Sequence, residues 1–131
     1  MNTLTVNSSR QVEMIDITTQ VRAVVRASGV TSGIVLVFTP HTTAAITINE
    51  NADPDVVRDM VMELSKIVPA EDGYRHAEGN SAAHIQSTLV GASETLLIED
   101  GEPLLGTWQG IYFCEFDGPR RRKLHIRVLA G

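Results

Sequence analysis

Cysteine is nearly absent from these 131 residues: Cys114 stands alone. No intrachain disulfide and no paired-cysteine metal knuckle can form, which points to a reducing compartment, by default the cytoplasm. No apolar run approaches the ~20 residues of a spanning helix. The start, MNTLTVNSSR, has no basic patch followed by an apolar stretch, so neither a membrane nor a secretory signal is expected. Several strong signatures are missing as well: there is no GxxxxGK[ST], no GxGxxG after a strand, no HExxH and no GxSxG. The run Asn49-Glu50-Asn51-Ala52-Asp53 has the acidic start of a calcium loop, but Pro54 stands where the glycine must be, which excludes calcium there. Repeats, low-complexity tracts and linkers are lacking too, so one domain over residues 1–131 is expected. What is present, 43% hydrophobic and 21% charged residues, is ordinary for a soluble globular chain long enough to bury one sound core.

Positive charge is scarce over most of the chain. Five of the 11 Lys and Arg residues are Arg120, Arg121, Arg122, Lys123 and Arg127, which leaves six basic against 16 acidic groups in residues 1–118. With a net charge of −5, binding driven by neutralising nucleic-acid phosphates is not expected. The cationic strip reads either as a charge-protected edge strand or as a pocket for an anion such as phosphate.

The patterning predicts strands at residues 3–8 and 33–39, the latter (GIVLVFT) an apolar β-branched run of the kind buried on both faces. Between them Asp16 and Thr18 offer N-caps to a helix carrying Val21, Val24 and Val25, stopped by Gly29. A strand at 44–49 follows. Asp53 then caps a helix with Pro54 at its first position and Val57, Met60, Val61 and Leu64 inward. A polar loop leads to a short helix over 81–90, and strands at 94–99, 107–116 and 121–129 complete the chain, with a turn at Asp100-Gly101. Short connections between neighbouring strands favour α+β architecture: a single compact domain with a mixed or antiparallel sheet and helices packed on it.

Five polar clusters are candidates for chemistry. His41-Thr42-Thr43 lies in a turn between two strands, where His41 can act as ligand or base and the threonines can donate hydroxyls. In the stretch from Asn49 to Asp55, Asp53 and Asp55 read as helix-start carboxylates, whereas Glu50 is not explained by capping. His76 and His84 flank Gly79, so a loop folding back brings both imidazoles to one metal, with Glu78 as an added ligand; the alternative is capping by Asn80 beside a surface histidine. Trp108, within Gly106-Thr107-Trp108-Gln109-Gly110, reads as core packing or as a stacking platform for a flat ring. Finally, the turn Asp117-Gly118-Pro119 sends the arginines into a strand. Alternation puts Arg121, Lys123, His125 and Arg127 on one face and Arg120, Arg122, Leu124 and Ile126 on the core side, where a guanidinium wants a paired anion. Cys114, inside a strand, reads as an inert core thiol.

The combination HTTAAITINENADPDV, HAEGNSAAHIQSTLVG and GTWQGIYFCEFDGPRRR resembles the YjbQ-like family, often called secondary thiamine-phosphate synthases, over roughly residues 5–130. The resemblance implies a compact α+β homotrimer with a histidine cluster as its metal site: His41, His76 and His84 here. Glu50, Asn80, Trp108 and Gln109 would then line the pocket, with Arg120 to Arg122 at its rim. It also implies coupling of a hydroxymethylpyrimidine pyrophosphate with a thiazole phosphate, pyrophosphate leaving. Arg120, Arg122 and a divalent metal would stabilise the leaving group and Trp108 would carry a ring. Histidine ligands select zinc or another transition metal, whereas pyrophosphate departure usually employs magnesium on oxygen ligands. Two further readings stand beside it. One is metal-assisted hydrolysis of a small phosphorylated molecule, with Glu50 or Glu78 as base; the other is a non-catalytic trimeric module for a metal or small anion.

Overall fold

The computed structural model describes residues 1–131. Alternation along the strands divides them into two antiparallel sheets. The first contains β1 (Asn2–Asn7), β3 (Gly33–Phe38), β5 (Ser93–Glu99), β6 (Glu102–Pro103) and β8 (Arg121–Ala130), in the order β1-β8-β3-β5-β6. The second contains β2 (Glu13–Asp16), β4 (Ala44–Glu50) and β7 (Gln109–Glu115), in the order β2-β7-β4. The helices are α1 (Thr18–Ser28), α2 (Pro54–Ile67) and α3 (Ser81–Val90). The α+β class and the antiparallel pairing are as expected, while the strands form two packed sheets rather than one. No helix is long and apolar enough to cross a membrane.

Two hydrophobic layers explain the arrangement. Val35, Val37, Leu96, Ile98, Leu124 and Ile126 of the first sheet meet Ala44, Ile46, Ile111 and Phe113 of the second, and Ile17, Val21, Val24 and Val25 close that core from the start of α1 and from α1 itself. The opposite face of the second sheet carries Ala45, Tyr112 and Cys114, which pack with Phe116, with Ala83 of α3 and, less deeply, with Val57 and Leu64 of α2. The central β7 is therefore covered on both faces, and Ile111 to Glu115 are all buried. The strand at 33–39 behaves differently from expectation. Val35 and Val37 are buried, but Ile34 and Leu36 are half-buried and Phe38 is exposed. The helices pack elsewhere, so that face of the first sheet has no cover within the chain.

Local signals account for most boundaries. Asp53 accepts the Asp55 N–H at 2.9 Å with Pro54 opening α2, and Asp16 accepts the Thr18 N–H at 2.9 Å ahead of α1. Asp100 and Gly101 both have positive φ, 52° and 76°, and close the hairpin in which Glu99 faces Glu102. The short strands β2 and β6 were not anticipated. Four and two residues carry too little periodicity to be read, and each exists because a neighbouring strand offers a free edge.

Candidate functional site

At one end of the molecule the β3–β4 loop, the β7–β8 turn, the start of β8 and the N-terminus of α3 meet around a cleft of about 400 Å³. Its walls are Pro40 and polar or charged side chains: His41, Thr42, Thr43, His76, Glu78, Asn80, His84, Asp117, Arg120 and Arg122. His41, Thr42, His76, Asn80, His84, Arg120 and Arg122, all singled out from the sequence, thus come together.

The floor is a buried ion pair. Arg122 is 3% exposed and Glu115 fully buried. Arg122 donates from Nε to Glu115 Oε1 at 2.8 Å and from Nη2 to Glu115 Oε2 and to Thr43 Oγ1, the last at 2.8 Å. Ser8 Oγ and the Asp117 N–H complete the carboxylate, at 2.7 and 3.0 Å. Burial alone would raise the Glu115 pKa, but the hydrogen bonds from Arg122, Ser8 and Asp117 outweigh it and hold the carboxyl below its ordinary value. Strand alternation placed Arg122 on the core side correctly. Arg120 is different: β8 begins at Arg121, so the alternation does not extend back to it. It lies exposed at the rim, donating from Nη2 to Asp117 Oδ2 at 2.7 Å and from Nε to the Asp117 carbonyl at 2.8 Å. Both guanidiniums keep Nη1 free of bonds within the chain.

Above the floor stand the histidines. The rings of His76 and His84 are perpendicular, at 86°, with centroids 5.5 Å apart. The loop between them folds back through a turn in which the Gly79 N–H donates to the His76 carbonyl. His41 reaches the same cleft with its Nε2 already accepting the Lys123 N–H at 2.9 Å. In the neutral ring the proton is therefore on Nδ1. Burial, and then the charge of Arg122, lower the His41 pKa and favour that neutral form. His41 consequently offers the cleft an N–H rather than a lone pair. As the side chains stand, no three His, Cys, Asp or Glu residues are arranged to hold a metal. The side chains of metal-ligating type in the cleft wall, besides His41, are His76 and His84, Glu78 on the intervening turn, and Asp117.

Asn80 does not cap α3. Its Nδ2 donates to Asp117 Oδ2 at 2.9 Å and its Oδ1 is buried without a partner, so the first N–H groups of α3 remain open. Ser8 and the Lys123 N–H are the members of this site that residue patterns did not reveal, and Thr43 takes a different role from the one expected. Thr43 sits in the HTT turn, but as an acceptor for Arg122, and Ser8 is visible only as the small polar residue ending the first strand.

Glu50, Trp108 and Gln109 lie elsewhere. In the β4–β7 pairing Ala44 faces Glu115 whereas Glu50 faces Gln109; six residue steps of an extended strand separate those ends by about 20 Å. Trp108 is 62% exposed in the loop before β7, not in the core, and Gln109 Oε1 accepts the Gly106 N–H at 2.8 Å. Glu50 contributes its carbonyl to the Tyr112 hydroxyl at 2.9 Å.

Comparison with known proteins places this geometry among relatives. The family model described as UPF0047 protein YjbQ-like matches residues 2–131. The chain is 52% identical over 130 residues to the UPF0047 protein YugU of Bacillus subtilis, covering 98% of both. It is 50% identical over 124 residues to a UPF0047 protein of Methanocaldococcus jannaschii, covering 95% of this chain and 90% of that one. The crystal structure of an uncharacterised conserved protein of the same family from Clostridium acetobutylicum superposes with a TM-score of 0.97 at 51% identity, covering 98% of this chain and 100% of the other.

Proposed function

The chain belongs to the YjbQ-like UPF0047 family, and from that premise we propose that it is an enzyme acting on a small phosphorylated substrate, whose phosphate lies in the polar cleft. The observation that supports this reading is the convergence of Arg120, Arg122, the His41 ring and the uncapped end of α3 on one cleft. Phosphate oxygens need N–H donors and positive charge. Glu115 and Asp117 orient the two guanidiniums while leaving each Nη1 to the ligand, and His41 adds its Nδ1–H. A divalent ion held by His76 and His84, zinc or another transition metal by ligand type and magnesium as the alternative, supplies further positive charge for a departing phosphate or pyrophosphate.

The family resemblance gives this reading its reaction: coupling of hydroxymethylpyrimidine pyrophosphate with a thiazole phosphate, pyrophosphate leaving. The cationic set stabilises the departing group. Asp117 is engaged by Asn80 and Arg120, which leaves Glu78 as the carboxylate of the cleft for base work. Thr42, exposed at the rim, adds a hydroxyl. In a homotrimer, Glu50, Trp108 and Gln109 serve a neighbouring copy rather than their own cleft. The uncovered face of the first sheet, with Phe38, Leu97 and Leu129 exposed, supports such association. A trimeric metal- or anion-binding protein without turnover is the second reading, because Glu78 is the cleft's one unengaged carboxylate.

Calorimetric titration with pyrophosphate, with and without zinc, tests the cleft. The expected result is saturable binding that falls at least about tenfold in Arg120→Lys and in His76→Ala/His84→Ala at unchanged Tm. No binding at millimolar pyrophosphate sinks the proposal, and binding with no turnover of phosphorylated compounds selects the second reading.

A further inference from the structure

Backbone hydrogen bonding leaves one strand of the molecule half used. β1 is an edge of the first sheet, and β8 is its one strand neighbour. The Ser8 N–H donates to the Arg120 carbonyl at 2.9 Å, and backbone groups alternate in direction along a strand. Asn2, Leu4 and Val6 therefore bond to β8, while Thr3 and Thr5 turn their N–H and C=O groups outward. The other edges are occupied, short or charged. In β4 the Ile46 N–H already donates to the Gly91 carbonyl at 3.0 Å. β6 has two residues, one of them Pro103, and β2 has four, with Glu13 and Asp16 at its ends. β1 runs for six residues, Asn2–Asn7, with no charge and no proline, so it lacks the features by which edges avoid pairing.

We infer that β1 pairs antiparallel with β1 of a second copy of this chain, about a two-fold axis at Leu4, which joins the first sheets of the two copies into one. The direction of the free groups and the side chains set the register. With Leu4 opposite its own counterpart, Thr3 faces the partner's Thr5 and Thr5 faces the partner's Thr3. These are the residues whose backbone groups point outward, so each pair exchanges two hydrogen bonds. Exposed threonines thereby meet threonines. Leu4, half-buried at the open edge of the core, meets the partner's Leu4 at a non-hydrogen-bonded position, where side chains approach most closely. Charge does not oppose the contact. The two cationic β8 strands lie three strand spacings apart, ~14 Å, beyond the Debye length of ~8 Å at physiological ionic strength. The contact is isologous, so it makes assemblies of even number: two chains or, from rings of three, six. It is independent of what the cleft binds.

Light scattering of the full chain, from micromolar to near-millimolar concentration, measures the mass. An even number of chains is expected. Thr5→Pro should halve it with the far-ultraviolet circular dichroism unchanged, because proline removes a donor that faces away from β8. Cysteine cross-linking tests the register separately. Leu4→Cys should give a disulfide-linked pair of chains under mild oxidation, since residues opposed at such a position have Cα atoms ~4.5 Å apart. Thr3→Cys should not, its counterpart lying ~8 Å away; the native Cys114 is buried and takes no part. A wild-type mass of one or three chains, a mass that Thr5→Pro leaves unchanged, or Leu4→Cys that links no faster than Thr3→Cys overturns the inference. None of these outcomes bears on pyrophosphate binding in the cleft.

Discussion

Replacing Glu115 by glutamine changes one oxygen to an NH₂ group in the most enclosed ion pair of the molecule. The carboxylate accepts from Arg122 Nε and Nη2, from Ser8 Oγ and from the Asp117 N–H. An amide keeps a single acceptor oxygen and turns a donor toward one of those donors, while the Arg122 guanidinium, 3% exposed, stays charged without a counterion. Breaking one side of a buried pair costs about 3–5 kcal/mol, roughly a fifth or more of the ~5–15 kcal/mol typical of a domain, and should lower Tm by on the order of 10–20 °C. Urea unfolding at pH 7 measures it, with the slope m unchanged if the fold is retained. The double variant Glu115→Gln/Arg122→Met should recover about 2–3 kcal/mol of the loss, since the orphaned charge is gone. The pH dependence supplies an independent check. Glu115 has a folded-state pKa below its ordinary 4.5, so the pair's contribution is complete above the unfolded value and disappears as pH falls through the folded one. The gap between wild type and Glu115→Gln should therefore hold from pH 7 to about 4.5 and narrow below it. A loss under about 1 kcal/mol, or a gap that stays constant down to pH 3, would refute the reasoning.

Three further outcomes are expected of the same structure. Burial pushes the Cys114 thiol up to about 12, so it should resist a thiol reagent at pH 8 in the folded protein and react at once in denaturant; rapid labelling of the native chain contradicts this. A Cβ on Gly33 would lie 2.0 Å from the Leu129 carbonyl oxygen, in a strand paired there with Ala130, so Gly33→Ala should cost at least about 2 kcal/mol, and an unshifted urea midpoint would count against the packing. In metal-free protein the neutral His41 ring should carry its proton on Nδ1 and titrate below 6.5, because burial and Arg122 disfavour its charged form. Nitrogen NMR showing the proton on Nε2 at pH 7, or a midpoint above 6.5, contradicts that arrangement.

Local chemistry is what the amino-acid order determined by itself. Asp53 before Pro54, Gly29 after α1 and Asp100-Gly101 between β5 and β6 act over two to four residues, so each element end they mark could be read directly. The core-side position of Arg122 was legible for the same reason, since alternation is a property of one strand. The partners of that arginine were partly legible: Glu115 is a nearby acid, while Thr43, and Ser8, which donates to Glu115, come from remote segments. Tertiary structure alone decided that the strands form two sheets, that β7 is the covered one and β3 the half-open one, and that His41 meets a backbone N–H rather than its sister histidines. It alone put Glu50 and Trp108 at the far end from the cleft. These outcomes depend on which strand edges pair and which faces meet, and each is the joint result of segments far apart in the chain. The physical reason is that hydrophobic burial is non-directional: a pattern states that a face must be covered, and only the assembled fold states by what.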